Sequence, residues 1–504
     1  MKKELLEQVR TIAFVTGRRI HLRIPSVLAE GEEFALKISV TGYDALPVET
    51  FPNTFHFADS QGIEGLPDSY RLEPGSSTGV IPGLKATGTG VALVEARMEV
   101  EDAPEVDLSV YSNPGWIFQD PSYRLFWGDL HVHTKYSNCS AWRCVDPEWC
   151  YQYAREISLL DFAAAADHLR GIVSEEGRWT DLQNLARQYT VPGKFAAFLA
   201  FESSHARGYG GDNNVYYRDD DAPYFWRDRE DMKGIAPKVH LEELWEELDA
   251  TGKGYFTAPH HTGRSGKYRS WDEDYHDPNH EPLFEIYSSW GSSEKRWSRF
   301  PIDGGKNDDP SYFVDALKAG ARFGVIASSD DHATLPAGVR NHRVRPFRPR
   351  PLKAHSHKGL AAVRCPELKR EALFDSMMER NTYATTDALS LMEVRIGDAR
   401  MGEEIQADSN LRQQRRIRVR YTAHDAAACR IILVRNGEEL AEKSIRGPET
   451  MRQVNEVIFE DNDPLNEVAL RGAKYHPEPF VAYYVRAEDR WGAHQWSSPI
   501  WIDA

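Results

Sequence analysis

Five short apolar stretches of this chain each end in side chains that bind metal ions. "GDLHVH" ends in His131 and His133, "AAAADH" in Asp167 and His168, and "AFLAFE" in Glu202. "YFTAPHH" ends in His260 and His261, and "IASSDDH" in Asp330, Asp331 and His332. In an extended segment residues two apart point to the same side, so His131 with His133, and Asp330 with His332, can each face one point. A single His or Asp after a strand is commonly a cap or a loop group. Several imidazoles and carboxylates on successive strand ends form a ligand set. Imidazole and carboxylate with little sulfur suit Mn, Fe or Zn. Two ions sharing one carboxylate can hold a hydroxide between them and stabilise both oxygens of a displacement. The expected chemistry is hydrolysis by metal-bound water. No P-loop, dinucleotide fingerprint or serine-nucleophile elbow offers a competing route.

The elements that would position these groups share one rhythm. "YRLFWGDL", "LLDFAAAADH", "KFAAFLAFE", "KGYFTAPHH", "PLFEIYS" and "RFGVIASSDDH" are short, and the middle ones are apolar throughout, as strands covered on both faces are. Between them, Asp146 before Pro147 and Glu148 marks a helix start, and "HLEELWEELDATGK" and "DPSYFVDALKAG" read as amphipathic helices. The pattern predicts an α/β domain over 123–390 with a parallel sheet closed into a barrel, whose strand ends would bring distant ligands together at one mouth. Residues 1–122 and 391–504 alternate short apolar runs with turn residues, which predicts flanking β domains, the second sandwich-like. Such domains could orient the barrel, cover its mouth or form a homo-oligomeric contact.

The motifs "GDLHVHT", "AAADH", "AFE", "APHH" and "SSDDH", in this order, resemble those of the PHP (polymerase and histidinol phosphatase) superfamily of metal-dependent phosphoesterases. "FWGDLHVHT", "NVYYRD", "EIYSSWGSSE", "KREALFDSMMERNTYATTDA" and "YYVRAEDRWGAHQWSSPIWID" resemble an uncharacterised branch of it, so the likeness runs from about residue 112 to the C-terminus. The resemblance implies a distorted (β/α)7 barrel with up to three divalent ions. It implies that His131, His133, Glu202 and Asp330 hold the first ion. His168 would hold the second, with Glu202 bridging and position 139 assisting. His260 and another side chain would hold the third, and His332 belongs to the last motif. Relatives usually have Asp or His at the position of Cys139, and often His at that of Asp212. A thiolate favours softer ions, so Cys139 reads as a ligand or as a buried thiol, and Asp212 as a ligand in place of His. His205 could stand in for either.

Around this set, His261 is a candidate general acid, and Arg170 and Arg264 are candidate clamps for an anionic substrate or plain loop charges. Trp290 reads as a substrate rim or a packed loop. The expected function is a metal-dependent hydrolase of a small substrate, foremost a phosphoester. The alternatives are the same site acting on a C–N or carboxylic ester bond, and a non-enzymatic metal- or carbohydrate-binding module.

Composition limits the partners. Of 504 residues, 61 are Lys or Arg and 77 Asp or Glu, a formal charge of -16 that argues against a large nucleic-acid footprint. The basic run 340–358 reads as a solvated loop or a cationic lid. No stretch is apolar enough to span a bilayer, "MKKELLEQVRTIAF" lacks the core of a signal peptide, and five cysteines fit a reducing compartment. Cytoplasmic location is the expectation.

Overall fold

The computed structural model describes residues 18–42, 45–47, 54–57, 60–99, 108–139, 144–205, 208–225, 240–264, 269–305, 310–338, 358–386 and 388–504. The leading segment 1–14 and nearly all of the basic run 340–358 lie outside the described residues. Among the described residues no helix is long and apolar enough to cross a membrane.

Residues 18–118 fold into three small sheets. In the first, Glu33–Gly42 pairs antiparallel with both Arg18–Arg23 and Thr78–Ala86. Its alternating pattern buries Leu36, Ile38 and Val40 against Leu72, Leu84 and Ala96. This layer is pinned to the rest of the chain by polar contacts. Trp127 Nε1 donates to Ser26 Oγ at 2.8 Å, Trp116 Nε1 donates to Thr422 Oγ1 at 2.8 Å, and Arg23 pairs with Asp161.

The central strands are β1 (Arg124–Val132), β2 (Phe162–Ala165), β3 (Ala196–Ser204), β4 (Asp212–Tyr217), β5 (Tyr255–Pro259), β6 (Leu283–Ser288), β7 (Gly324–Ala327), β8 (Leu360–Cys365) and β9 (Thr382–Thr385). The parallel barrel expected between sandwich-like flanks does not form. β1, β2 and β3 are parallel neighbours, but β4 lies antiparallel to both β3 and β5, and β8 lies antiparallel to both β1 and β9. β6 and β7 pair in parallel in a separate three-stranded sheet. The cause is local. "DNNVYY" is a strand although its first half is polar, and antiparallel neighbours need no helical crossover, so β3, β4 and β5 succeed one another in the sheet.

The sheet then continues past β9. It runs through β12 (His494–Ser497), β11 (Phe480–Asp489) and β10 (Ala428–Arg435), giving one mixed sheet of 13 strands that carries both central and C-terminal segments. Tyr287, Phe313, Tyr484 and Trp496 pack together across this junction.

The three foreseen helices are present. α1 (Pro147–Gln152) starts with Pro at its first turn, but the Asp146 carboxylate pairs with Lys135 and makes no capping hydrogen bond. α4 (Leu241–Asp249) and α5 (Phe313–Lys318) bury their apolar faces, while α2 (Leu169–Ile172) and α3 (Arg178–Tyr189) follow β2.

β1 can lie close to β2 because residue 128 has no side chain. A Cβ at Gly128 would sit 2.1 Å from the buried Phe162 ring. Gly128→Ala is therefore expected to destabilise the fold by about 1–3 kcal/mol through overpacking, read as a lower denaturant midpoint at unchanged slope.

Candidate metal centre

The strand-end residues meet. An isolated parallel bridge joins Val132 to Asp331 and another joins His168 to Glu202, so the ends of β1 and β3 adjoin the segments following β7 and β2. Their side chains form one cluster. Glu202 is its hub: Oε2 lies 2.9 Å from His168 Nδ1, 3.4 Å from His133 Nε2 and 3.6 Å from His131 Nε2, and Oε1 lies 3.5 Å from His260 Nε2. Asp330 is the second hub, with Oδ1 3.1 Å from both His133 Nε2 and His332 Nε2 and 3.6 Å from His131 Nε2. Its Oδ2 lies 3.3 Å from His261 Nδ1, and His261 Nε2 lies 3.3 Å from Asp212 Oδ2.

Three sets of donor atoms could each hold an ion: His131, His133 and Glu202; Asp212, His260 and His261; and His133, Cys139 and His332. The donors fit divalent metal on a further ground. His131 Nε2 and both ring nitrogens of His260 are buried without a hydrogen-bond partner among the described residues. The gaps of 3.5 to 3.6 Å at His131 Nε2 and His260 Nε2 are long for hydrogen bonds and leave these two nitrogens facing carboxylate oxygens across space that one ion could share.

The surrounding groups fix ring orientation. His131 Nδ1 lies 3.1 Å from Glu285 Oε2, so a proton there turns the Nε2 lone pair toward Glu202 and Asp330. His133 Nδ1 lies 2.8 Å from Ser137 Oγ, whose own proton goes to Asp167 Oδ1 at 2.6 Å. Asp167 also accepts from Thr134 N and Oγ1. It holds the turn after β1 and is no ligand. Asp331 does similar work, accepting from Ala333 N, Leu335 N and Lys358 Nζ. Two non-glycine residues of the cluster, His261 and Asp330, have positive φ of 32° and 49°, a conformation their contacts must maintain against intrinsic preference.

Electrostatics follow from two carboxylates in the core. Burial opposes their charge, yet His131 beside Asp330 and His168 beside Glu202 hold both carboxyls well below the usual range. Burial alone would lower His131, but Asp330, Glu285 and Glu202 raise it well above its ordinary value. Burial, then His332, pushes His133 down to about 4, and burial, then His261, lowers His260. The two carboxylates demand positive charge that a divalent ion supplies without a proton.

The floor and lip of the cluster differ. His131, His133, Glu202, His260 and Asp330 are sealed from solvent, whereas His168, Asp212, His332 and Cys139 keep partial exposure. Trp290 stands near that lip, its ring centroid 6.0 Å from that of His332 and 6.2 Å from that of His261, with the Arg264 guanidinium 4.2 Å over it. Arg170 is solvent-exposed on α2, and His205 bonds Ser203 Oγ.

His131, His133, His168, Glu202, His260, Asp330 and His332 come together, as do Cys139, whose Sγ lies 3.0 Å from His332 Nδ1, and Asp212, whereas Asp167, Asp331 and His205 are engaged elsewhere. His261, expected as a general acid, lies inside a donor set with Asp212 and His260. Glu285 and Ser137 were missed. A charged residue in the middle of the apolar "PLFEIYS" was the available signal for Glu285, and nothing local marked Ser137. Glu285→Gln is expected to leave the fold intact and weaken metal binding by about 10–100-fold, measured by competition with a chromogenic chelator.

No family model matches the chain. It is 26% identical to an uncharacterised protein of Chlamydia pneumoniae, 26% to one of Chlamydia muridarum and 27% to one of Chlamydia trachomatis. Each match takes in 84% of this chain and 64% of the relative, so the chain spans about two-thirds of those proteins' length. Among solved structures, Salmonella alpha-2-macroglobulin reacted with methylamine covers 97% of this chain over 23% of its own, at 7% identity and a TM-score of 0.15. Escherichia coli alpha-2-macroglobulin activated by porcine elastase overlaps 97% of this chain over 31% of its own, at 8% identity and a TM-score of 0.16. Overlaps this loose define no common fold.

Proposed function

We propose that the chain is a metal-dependent hydrolase of a small anionic substrate, foremost a phosphoester, working at the Glu202–Asp330 cluster. One observation carries the reading: two buried carboxylates face six imidazoles, with His131 Nε2 and His260 Nε2 left without hydrogen-bond partners among the described residues. The order of the motifs, which resembles that of the PHP superfamily, supports it too. Bound there, two or three divalent ions (Mn, Fe or Zn) would supply Lewis acidity, activating a water and offsetting charge on the bond that breaks.

The chain's own groups supply the rest. Glu202 and Asp330 anchor the positive charge, Glu285 and Ser137 keep His131 and His133 in the ligating orientation, and the sealed floor excludes bulk water. Substrate would approach from the His168–Asp212–His332 lip, where Arg264, over the Trp290 ring, would meet its anionic group, while His261 serves the cluster as a donor rather than as a general acid. Arg170 has no place in this reading. The five cysteines carry free thiols, which suits the cytoplasm.

Protein purified without chelator should contain stoichiometric transition metal and cleave simple phosphoesters, and His133→Ala should lose at least about 100-fold of that activity. Absence of metal in the wild type would refute the reading. Equal activity in the variant would remove the reaction from this site. Carboxylic esters and amides belong in the same screen, since cleavage of those alone changes the bond class and keeps the centre.

A further inference from the structure

The two ends of the cluster are chemically unlike. At the β4 side, Asp212, His260 and His261 offer only nitrogen and oxygen. At the other, Cys139 joins His133 and His332 in a set whose donor atoms lie within 4.8 Å of one another. The rings of His133 and His332 are stacked at 4.0 Å and 20°, and both Nε2 atoms lie 3.1 Å from Asp330 Oδ1. Cys139 Sγ lies 3.0 Å from the opposite nitrogen of His332. Sulfur and two imidazoles thus meet at the partly exposed Cys139 end, with the Asp330 carboxylate on the far edge of the His332 ring. A second thiol braces the arrangement: Cys144 Sγ, buried, donates to the His332 carbonyl at 3.3 Å.

We propose that Cys139 is a metal ligand and makes this end a thiolate position that prefers Zn or another thiophilic ion, while the Asp212 end keeps a nitrogen and oxygen set suited to Mn or Fe(II). The inference rests on the metal-centre reading above and adds to it a division of ion types within one cluster. Thiolate sulfur selects soft ions, whereas carboxylate oxygen suits harder ones, so one donor exchange at the lip changes which ion is held there. As the sulfur–metal bond forms, the Cys139 thiol gives its proton to solvent and no electron changes hands. Cys144 lies beside Cys139, hydrogen-bonds to it as well as to the His332 carbonyl, and belongs to none of the three donor sets, so it supports Cys139 as a neighbouring thiol.

The test uses the full chain with Zn(II), Co(II) and Mn(II) alone. X-ray absorption of the zinc-loaded protein should show one sulfur scatterer at about 2.3 Å, and the cobalt-loaded protein should show thiolate-to-metal charge transfer in the near ultraviolet. Cys139→Ser should lose both signals and retain ions elsewhere in the cluster. Cys144→Ser should keep both. Cys139→Asp, which restores an oxygen donor, should keep the ion count and shift the Zn-over-Mn preference by at least about tenfold toward Mn. Metal-loaded wild type without a sulfur signal overturns the proposal and leaves the metal centre standing. So does a signal that survives in Cys139→Ser or vanishes in Cys144→Ser, or an unchanged metal preference in Cys139→Asp. Wild type that binds none of the three ions overturns both.

Discussion

Glu202→Gln is expected to cost about a thousandfold in hydrolytic rate and at least one ion per chain, with the fold retained. The substitution keeps the shape of a buried side chain on β3 and removes only its charge. Four imidazoles lose their common counter-charge at once, because His131, His133, His168 and His260 all lie 2.9 to 3.6 Å from this one carboxylate. An amide NH2 facing ring nitrogens cannot ligate a cation. Losing several kcal/mol of charge stabilisation at the reacting centre corresponds to the stated rate, at roughly 1.4 kcal/mol per tenfold. Elemental analysis and phosphoesterase assays on the same preparation check it. Unchanged metal content would show that the carboxylate is not the shared ligand and would move the hub to Asp330.

The second large effect is on stability. Metal removal by a chelator is expected to lower the unfolding midpoint, since ions that bind only the folded chain stabilise it by about 4 kcal/mol at a free concentration a thousand times the dissociation constant. The difference should grow with rising pH, because the histidines ligate only when their ring nitrogens are free of protons, and an ion must displace the protons that Asp330, Glu285 and Glu202 favour on His131. Calorimetry with and without metal across neutral to mildly alkaline pH measures the gap. A gap that narrows as pH rises, or no gap at all, would contradict ligation by these imidazoles.

Much of the cluster was legible because its information is local. "HVH" sets a same-side pair through the two-residue repeat of an extended chain, and no knowledge of topology is needed to see it; "DDH" brings Asp330 and His332 together by another route, a left-handed turn at Asp330 past the end of β7. Glu202, His168 and His260 follow from their places after apolar runs. What sequence could not convey was the partner of each strand. "KFAAFLAFE" reads the same whether its neighbour runs parallel or antiparallel, and the half-polar "DNNVYY" gives little sign that it lies between β3 and β5. Hence the strand-end histidines and carboxylates come together while the expected barrel gives way to a mixed sheet. Glu285 was hidden for a related reason. It acts through a contact with His131 across 154 residues, and sequence spacing carries no trace of such a distance.

The sheet that runs from β9 into β12 also bears on how this chain could be divided. Thr385 pairs with Gln495 and Tyr383 with Ser497, while Arg486 and the Tyr484 hydroxyl close on Glu294 in the loop after β6. A fragment ending near residue 390 would present β9 as a bare edge, strip Tyr287 and Phe313 of their apolar cover, and leave Glu294 a buried acid without its arginine. Open edges of that kind template aggregation. The cluster and the C-terminal strands are therefore heritable only as one unit, and recombination between them would yield insoluble protein before it yielded a new enzyme.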